Sequence, residues 1–290
     1  MRRSLAPLLA LLLLATLALP ADALTAQRVW RGAVGTSGGN GSHSLTAYDD
    51  GTGLLKLALK GLRWKVTYRV EIRAGSCSSL GSVLLRPGSV TTSATGTVAT
   101  TRKLSISGMN AVWPTSRSGN IAIRYYNSTS IRCGNLTFNK ATRIRVPYYR
   151  IDLPVIKSPN AYPYCNVAMY LRELSQPTEP GVTYIFGHAR TGMFLPLLKA
   201  SQVNNGAAMI GKIIYVYASN SKIHTYKITQ VRRHVSSIQN VFGVLSETLW
   251  IQTSEGPNST YPKLVIVAKR TATGAATYAG SHPTPHPIRC

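Results

Sequence analysis

The residues of this chain with the widest chemical range are its four cysteines and six histidines. The cysteines stand at positions 77, 133, 165 and 290, so three pairings into two disulfides are possible. No cysteines form the CxxC pair typical of zinc sites, and the histidines have no cysteine or carboxylate at metal-ligand spacing. Acidic residues are few between 151 and 270, which also argues against calcium. We therefore predict no metal and no cofactor.

The first 26 residues have the parts of a secretory signal peptide. Arg2 and Arg3 precede an apolar run, 5–19, and small residues at 21–23 could form a cleavage site. The run is shorter than the roughly 20 residues of a membrane-spanning helix. We therefore predict an exported protein, secreted or at the cell surface, which contacts a membrane only if this segment stays uncleaved. Such a compartment permits disulfides.

Three segments of the second half resemble motifs of the sortase family. Residues 183–188 (TYIFGH) are similar to the family strand that ends in Gly-His and precedes a short helix. Residues 248–254 (TLWIQTS) resemble its Thr-Leu-x-Thr-Cys strand end, and 263–268 (KLVIVA) resemble the strand that begins with its catalytic arginine. The order of these motifs matches the family across residues 151–270.

The resemblance implies an eight-stranded β-barrel and an extracytoplasmic transpeptidase. Such enzymes cut a sorting signal in an exported protein and join it to an amine, through a cysteine thiolate, a histidine acid and base, and an arginine that stabilises the oxyanion. By position, His188 corresponds to the histidine, Ser254 to the cysteine and Lys263 to the arginine. Two of the three catalytic positions therefore differ in residue type from the family.

These differences change the chemistry that the site must perform. A serine hydroxyl needs a base to remove its proton, and lysine lacks the planar fork with which arginine supports an oxyanion. In one interpretation Ser254 attacks, His188 accepts the proton and Lys263 supports the oxyanion. In a second, the domain is a catalytically inactive binding module. In a third, Cys165, within the segment YPYCN, supplies the thiol.

Several neighbouring residues have simpler interpretations. Cys165 could be a buried free thiol, and a bridge to Cys290 is available as long as Cys290 does not pair between chains. We interpret Glu255, directly after Ser254, as a turn residue. The arginines at 232 and 233 are interpreted as a solvated strand end.

The first half, residues 27–147, consists of short alternating or β-branched runs separated by Gly, Ser and Asn, without helical periodicity. This pattern predicts an antiparallel β-sandwich. Cys77 and Cys133 each follow a predicted strand, so we predict that they form a disulfide. The fold class is thus mainly β: a sandwich, then a sortase-like barrel at 148–270 and a flexible tail at 271–290.

The formal net charge of +24 favours anionic partners. The charges are scattered, and no recognisable nucleic-acid motif is present, so we expect no nucleic-acid partner. We predict a sortase-like acyl-transfer protein that acts on an exported or cell-surface protein or peptide. The alternative is a catalytically inactive surface protein that binds anionic cell-wall polymer or peptide.

Overall fold

The computed structural model describes residues 26–35, 39–118, 120–128, 130–159, 163–256 and 261–290. The predicted signal peptide lies outside these residues except for Ala26. Within the described part, the strands are β1 Ala26–Ala33, β2 Gly41–Tyr48, β3 Gly53–Leu59, β4 Thr67–Ser76, β5 Ser79–Thr91, β6 Val98–Leu104, β7 Ile121–Tyr126, β8 Ile131–Leu136, β9 Ala141–Val146, β10 Ile151–Lys157, β11 Ala168–Tyr170, β12 Val182–Phe186, β13 Ile213–Ala218, β14 Lys222–Val235, β15 Thr248–Ser254 and β16 Lys263–Ala275. The α-helices are α1 Ile106–Ser118, α2 Leu195–Gln202 and α3 Tyr278–Ser281.

The first eight strands form two antiparallel sheets with a shared core. One sheet has the order β1-β2-β3-β6 and the other β5-β4-β7-β8. Along β3, Leu55, Leu57 and Leu59 are buried while Lys56 and Ala58 are exposed, which is the alternation expected of a strand with one face on a core. The predicted mainly β fold with an antiparallel first half is confirmed.

Helix α1 corrects the prediction that the first half lacks helix. It connects β6 to β7, and Met109 and Val112 are buried in the core on one side of it. The Ser105 hydroxyl accepts a hydrogen bond from the Gly108 backbone nitrogen and so caps its first turn. Gly108 and Pro114, both poor helix formers, obscure its periodicity in the sequence.

The predicted disulfide between Cys77 and Cys133 is confirmed. It joins the end of the β4 region to β8, which lies on the far side of β7 in the same sheet. The Cys77 backbone nitrogen also donates to Asn135 Oδ1 at 2.7 Å, beside the bridge.

Replacing both Cys77 and Cys133 by serine should lower the free energy of unfolding by about 2–4 kcal/mol, because the bridge restricts the unfolded chain. Denaturant titration of both proteins measures this difference. Equal unfolding midpoints and slopes for the two proteins would contradict the stabilising role.

The second half is a closed eight-stranded barrel with the order β10-β11-β12-β15-β16-β14-β13-β9. β12 and β15 run parallel and side by side, whereas β15 and β16 are antiparallel neighbours. Helix α2 packs Leu197 and Leu198 against the barrel core, where the sortase resemblance implies a short helix after Gly-His. The predicted eight-stranded barrel is confirmed.

The predicted domain limits differ from the structure at both ends of the barrel. β9, placed in the first domain by the sequence, pairs with β10 and β13 and closes the barrel. β16 continues to Ala275, and α3 follows it within the predicted flexible tail. Ser281 is buried, and Ile288 forms backbone hydrogen bonds with Cys165, so the segment after β16 packs against the barrel. The Thr, Gly and Pro residues of this segment are typical of flexible chain, so the sequence did not predict these contacts.

The two halves are joined by a buried ion pair. Arg28 of β1 contacts Glu179, which precedes β12, at 3.1 Å, and also donates to the Leu174 carbonyl at 2.7 Å. In the described part of the chain, no helix combines the length and apolar character needed to cross a membrane.

Candidate active site

The ends of two parallel strands bring His188 and Ser254 to one edge of the barrel. Phe186, the last residue of β12, pairs with Gln252 of β15, so both strands reach the edge in register. His188 lies two residues beyond β12, and Ser254 is the last residue of β15. The Thr253 hydroxyl donates to the Gly187 carbonyl at 2.9 Å, which ties the two strand ends together.

Lys263 contacts Ser254 directly. It is the first residue of β16 and pairs with Ser254 across the antiparallel ladder. Its Nζ donates to Ser254 Oγ at 3.0 Å. Lys263 is half-buried, and this burial lowers the pKa of its amine. The lysine at the predicted oxyanion position therefore also lies within proton-transfer distance of the predicted nucleophile.

His188 is half-buried and makes a backbone contact. Its Nε2 lies 3.0 Å from the Pro163 carbonyl oxygen. Because a carbonyl only accepts, Nε2 carries a proton in this arrangement. Among the described residues no hydrogen bond joins His188 to Ser254. The structure thus places the predicted acid/base and the predicted nucleophile at the ends of neighbouring parallel strands, with Nε2 of His188 directed to Pro163.

Gly187 lies close to an aromatic ring where the chain leaves β12. A Cβ atom on this residue would approach the Phe194 ring to 3.2 Å, closer than ordinary van der Waals contact. The Phe194 backbone nitrogen, just before α2, donates to the His188 carbonyl at 3.1 Å. The small residue leaves room for the aromatic ring, and the hydrogen bond from Phe194 holds the backbone of His188.

Cys165 forms a disulfide with Cys290 and therefore has no thiol in this structure. The interpretation that gives Cys165 the nucleophile role requires this bridge to be opened first. The two sulfur atoms and a ring nitrogen of His188 all lie within 4.8 Å of one another. To bind one metal ion together, these side chains would have to be two thiolates and a neutral imidazole. The disulfide uses both sulfur atoms, so no such metal site exists while it is intact.

Glu255 has a larger role than the predicted turn. Its side chain is 6% exposed, and its carboxylate contacts Arg233 Nε at 3.2 Å and His234 Nδ1 at 2.7 Å. Arg233, interpreted from the sequence as a solvated strand end, thus fixes the residue next to Ser254. The sequence does not predict this ion pair, because β14 and the turn after β15 meet only in the folded barrel. The one indication in the sequence that Glu255 belongs to the site is its position next to Ser254.

Comparisons with known proteins agree with the barrel and its motifs. Residues 144–271 match the family model described as the sortase domain. No curated protein matches the chain.

Among solved structures, the chain is similar to several sortases over about half its length. Sortase A of Listeria monocytogenes is 19% identical, with 50% of this chain and 98% of that chain covered and a TM-score of 0.40. Sortase C of Clostridium perfringens is 16% identical, with 46% of this chain and 70% of that chain covered and a TM-score of 0.36. Sortase C-1 of Actinomyces oris is 17% identical, with 45% of this chain and 71% of that chain covered and a TM-score of 0.37. Residues 144–271 thus match the model of the sortase domain, and they make up most of the closed eight-stranded barrel.

Proposed function

We propose that this protein is an acyl-transfer enzyme that cuts exported or cell-surface proteins and joins them to an amine, with Ser254 as its nucleophile. Sortases are extracytoplasmic transpeptidases, and the two disulfides are compatible with an oxidising compartment. The acceptor is then an amine, or water if no amine is bound.

The observation that supports this proposal best is the contact of 3.0 Å between Lys263 Nζ and Ser254 Oγ. A serine attacks a carbonyl only when a base removes its proton. Burial lowers the pKa of the Lys263 amine, so a larger fraction is neutral at a given pH than for an exposed lysine. Neutral Lys263 is therefore a base in direct contact with Ser254, in the manner of known Ser-Lys pairs. This extends the role predicted from the sequence, which was oxyanion support.

The first half of the reaction forms an ester on Ser254. Oγ bonds to the substrate carbonyl carbon, its proton passes to Lys263, and the scissile C–N bond breaks. The departing amine needs a proton, and His188 at the neighbouring strand end supplies it from Nε2 when the ring is an imidazolium. His188 delivers it by exchanging its contact with Pro163 for the leaving group. The acceptor amine then attacks the ester and gives a proton to His188, the new amide forms, and the departing Ser254 Oγ takes its proton back from Lys263.

Incubating the purified protein with sorting-signal peptides and an amine acceptor tests this function. We expect mass spectrometry to detect a peptide cut at one bond and joined to the acceptor. If a panel of such peptides stays uncut and no acyl-enzyme accumulates, the acyl-transfer proposal is wrong.

The charge of the chain favours a second candidate, binding of anionic cell-wall polymer. The 33 basic residues face only nine acidic ones. Five of these acids are already in ion pairs: Glu71, Asp152, Glu179, Glu247 and Glu255. The remaining positive charge would attract a polyanion without any need for catalysis.

Binding to a purified polyol-phosphate polymer should weaken by about tenfold or more between about 0.05 M and 0.5 M salt, because salt screens exposed charges. Affinity measurements at several salt concentrations test this, with a neutral glycan as control. Equal binding to the neutral glycan, or binding that salt leaves unchanged, would contradict this candidate.

A further inference from the structure

We propose that the Cys165–Cys290 bridge is a thiol–disulfide exchange site, at which an external thiol attacks Cys290 and releases Cys165 beside His188. This goes beyond acyl transfer by Ser254, because it needs neither Ser254 nor Lys263. The bridge lies next to His188, a residue that the acyl-transfer site also uses.

The two sulfur atoms differ in accessibility. Cys165 is 5% exposed and precedes β11, whereas Cys290 is exposed. An incoming thiolate can therefore reach Cys290 Sγ far more easily than Cys165 Sγ. Exchange rates depend on which sulfur is accessible and on how well the other one leaves.

The surroundings can stabilise Cys165 as the leaving group once Cys290 is attacked. A ring nitrogen of His188 lies within 4.8 Å of both sulfur atoms. An imidazole at this distance can donate a hydrogen bond or a proton to the departing sulfur, and a neighbouring His⁺ stabilises a thiolate. Arg190, two residues further along, donates to the Cys290 carbonyl at 3.4 Å and adds positive charge to the same edge.

The segment that contains Cys290 is held in a way that permits a mixed disulfide. Residues 284–290 are all exposed. Ile288 pairs with Cys165 through backbone hydrogen bonds of 2.9 and 3.3 Å, which keep Cys290 next to its partner. The Cys290 sulfur can therefore accept an external group on its solvent side without disturbing the barrel core.

The proposed reaction balances as two exchange steps. An external thiolate bonds to Cys290 Sγ, the Cys165–Cys290 bond breaks, and its electron pair leaves on Cys165. A second external thiolate then attacks the mixed disulfide, which releases Cys290 as a thiolate and a disulfide of the two external thiols. The external thiols lose two electrons and the protein bridge gains them.

The second disulfide of the chain is the internal control. Cys77 and Cys133 are both half-buried and lie at the edge of the sandwich. The native, oxidised protein is treated with glutathione, quenched with an alkylating agent and mapped by mass spectrometry. We expect glutathione on Cys290, alkylated Cys165, and an intact Cys77–Cys133 bridge. Equal opening of the two bridges, or glutathione on Cys165 instead of Cys290, would overturn the proposal.

Replacing His188 tests the role of the imidazole. H188N should slow opening of Cys165–Cys290 by about three- to tenfold, since a poorer leaving thiolate departs more slowly. H282N is the matched control, because His282 lies on the same segment and stacks on Tyr278. An unchanged rate in H188N would show that the His188 imidazole does not assist the opening of the bridge. The S254A variant should exchange at the wild-type rate, so loss of acyl transfer and loss of exchange are measured separately.

Discussion

Replacing Ser254 by alanine is expected to lower acyl transfer by about a thousandfold or more, because the variant has no atom with which to form the ester. The barrel should be unaffected, since Ser254 is the last residue of β15 and its side chain is partly exposed. The measurement is the rate of peptide joining to an amine acceptor, together with detection of the acyl-enzyme by intact-protein mass spectrometry.

Two further variants make this result specific. S79A removes an exposed hydroxyl of the sandwich, far along the chain from the barrel, and should leave the rate unchanged. S254C should remain active, because a thiolate next to the Lys263 amine is a strong nucleophile. Product formation by S254A at the wild-type rate would show that Ser254 is not the nucleophile. That result would instead favour Cys165 as the nucleophile, once its disulfide is reduced.

Much of the fold could be predicted from local sequence patterns. The alternation of leucines in β3 and the apolar run of β15 are each determined by which residues must face a core. The Cys77–Cys133 bridge followed from two cysteines at strand ends. Helix α1 was missed because Gly108 and Pro114, which are typical of turns, interrupt the pattern of the residues that anchor it in the core, such as Met109, Val112 and Trp113.

The candidate site could be predicted less completely, because its contacts join distant parts of the chain. The positions of His188, Ser254 and Lys263 were inferred from motif order, and the barrel brings Lys263 and Ser254 to 3.0 Å. The proximity of Cys290 to His188 depends on the path of residues 276–290, for which a segment rich in Pro and Thr gives no local signal. The same holds for Arg233 and Glu255, which meet only when β14 pairs with β16.

Replacing Lys263 by arginine is expected to lower acyl transfer by about a hundredfold or more, although arginine is the residue that the family has at this position. Arginine retains the positive charge and improves oxyanion support, but it cannot lose its proton and so cannot act as a base. The two roles of Lys263 therefore predict opposite results. Loss of activity supports the base role, whereas retained or increased activity contradicts it and supports the oxyanion role predicted from the sequence.

The pH profile of the wild-type enzyme provides the second measurement. A base works only when deprotonated, so activity should rise with pH and level off above the pKa of Lys263. An ordinary lysine has a pKa of about 10.4. Because burial lowers the pKa of Lys263, the rise in activity should occur at a lower pH than that. K269R, on the exposed part of β16, is the matched control and should retain both the rate and this profile. A wild-type rate that does not change with pH in the alkaline range would contradict proton transfer to Lys263, since no other residue contacts the Ser254 hydroxyl among the described hydrogen bonds.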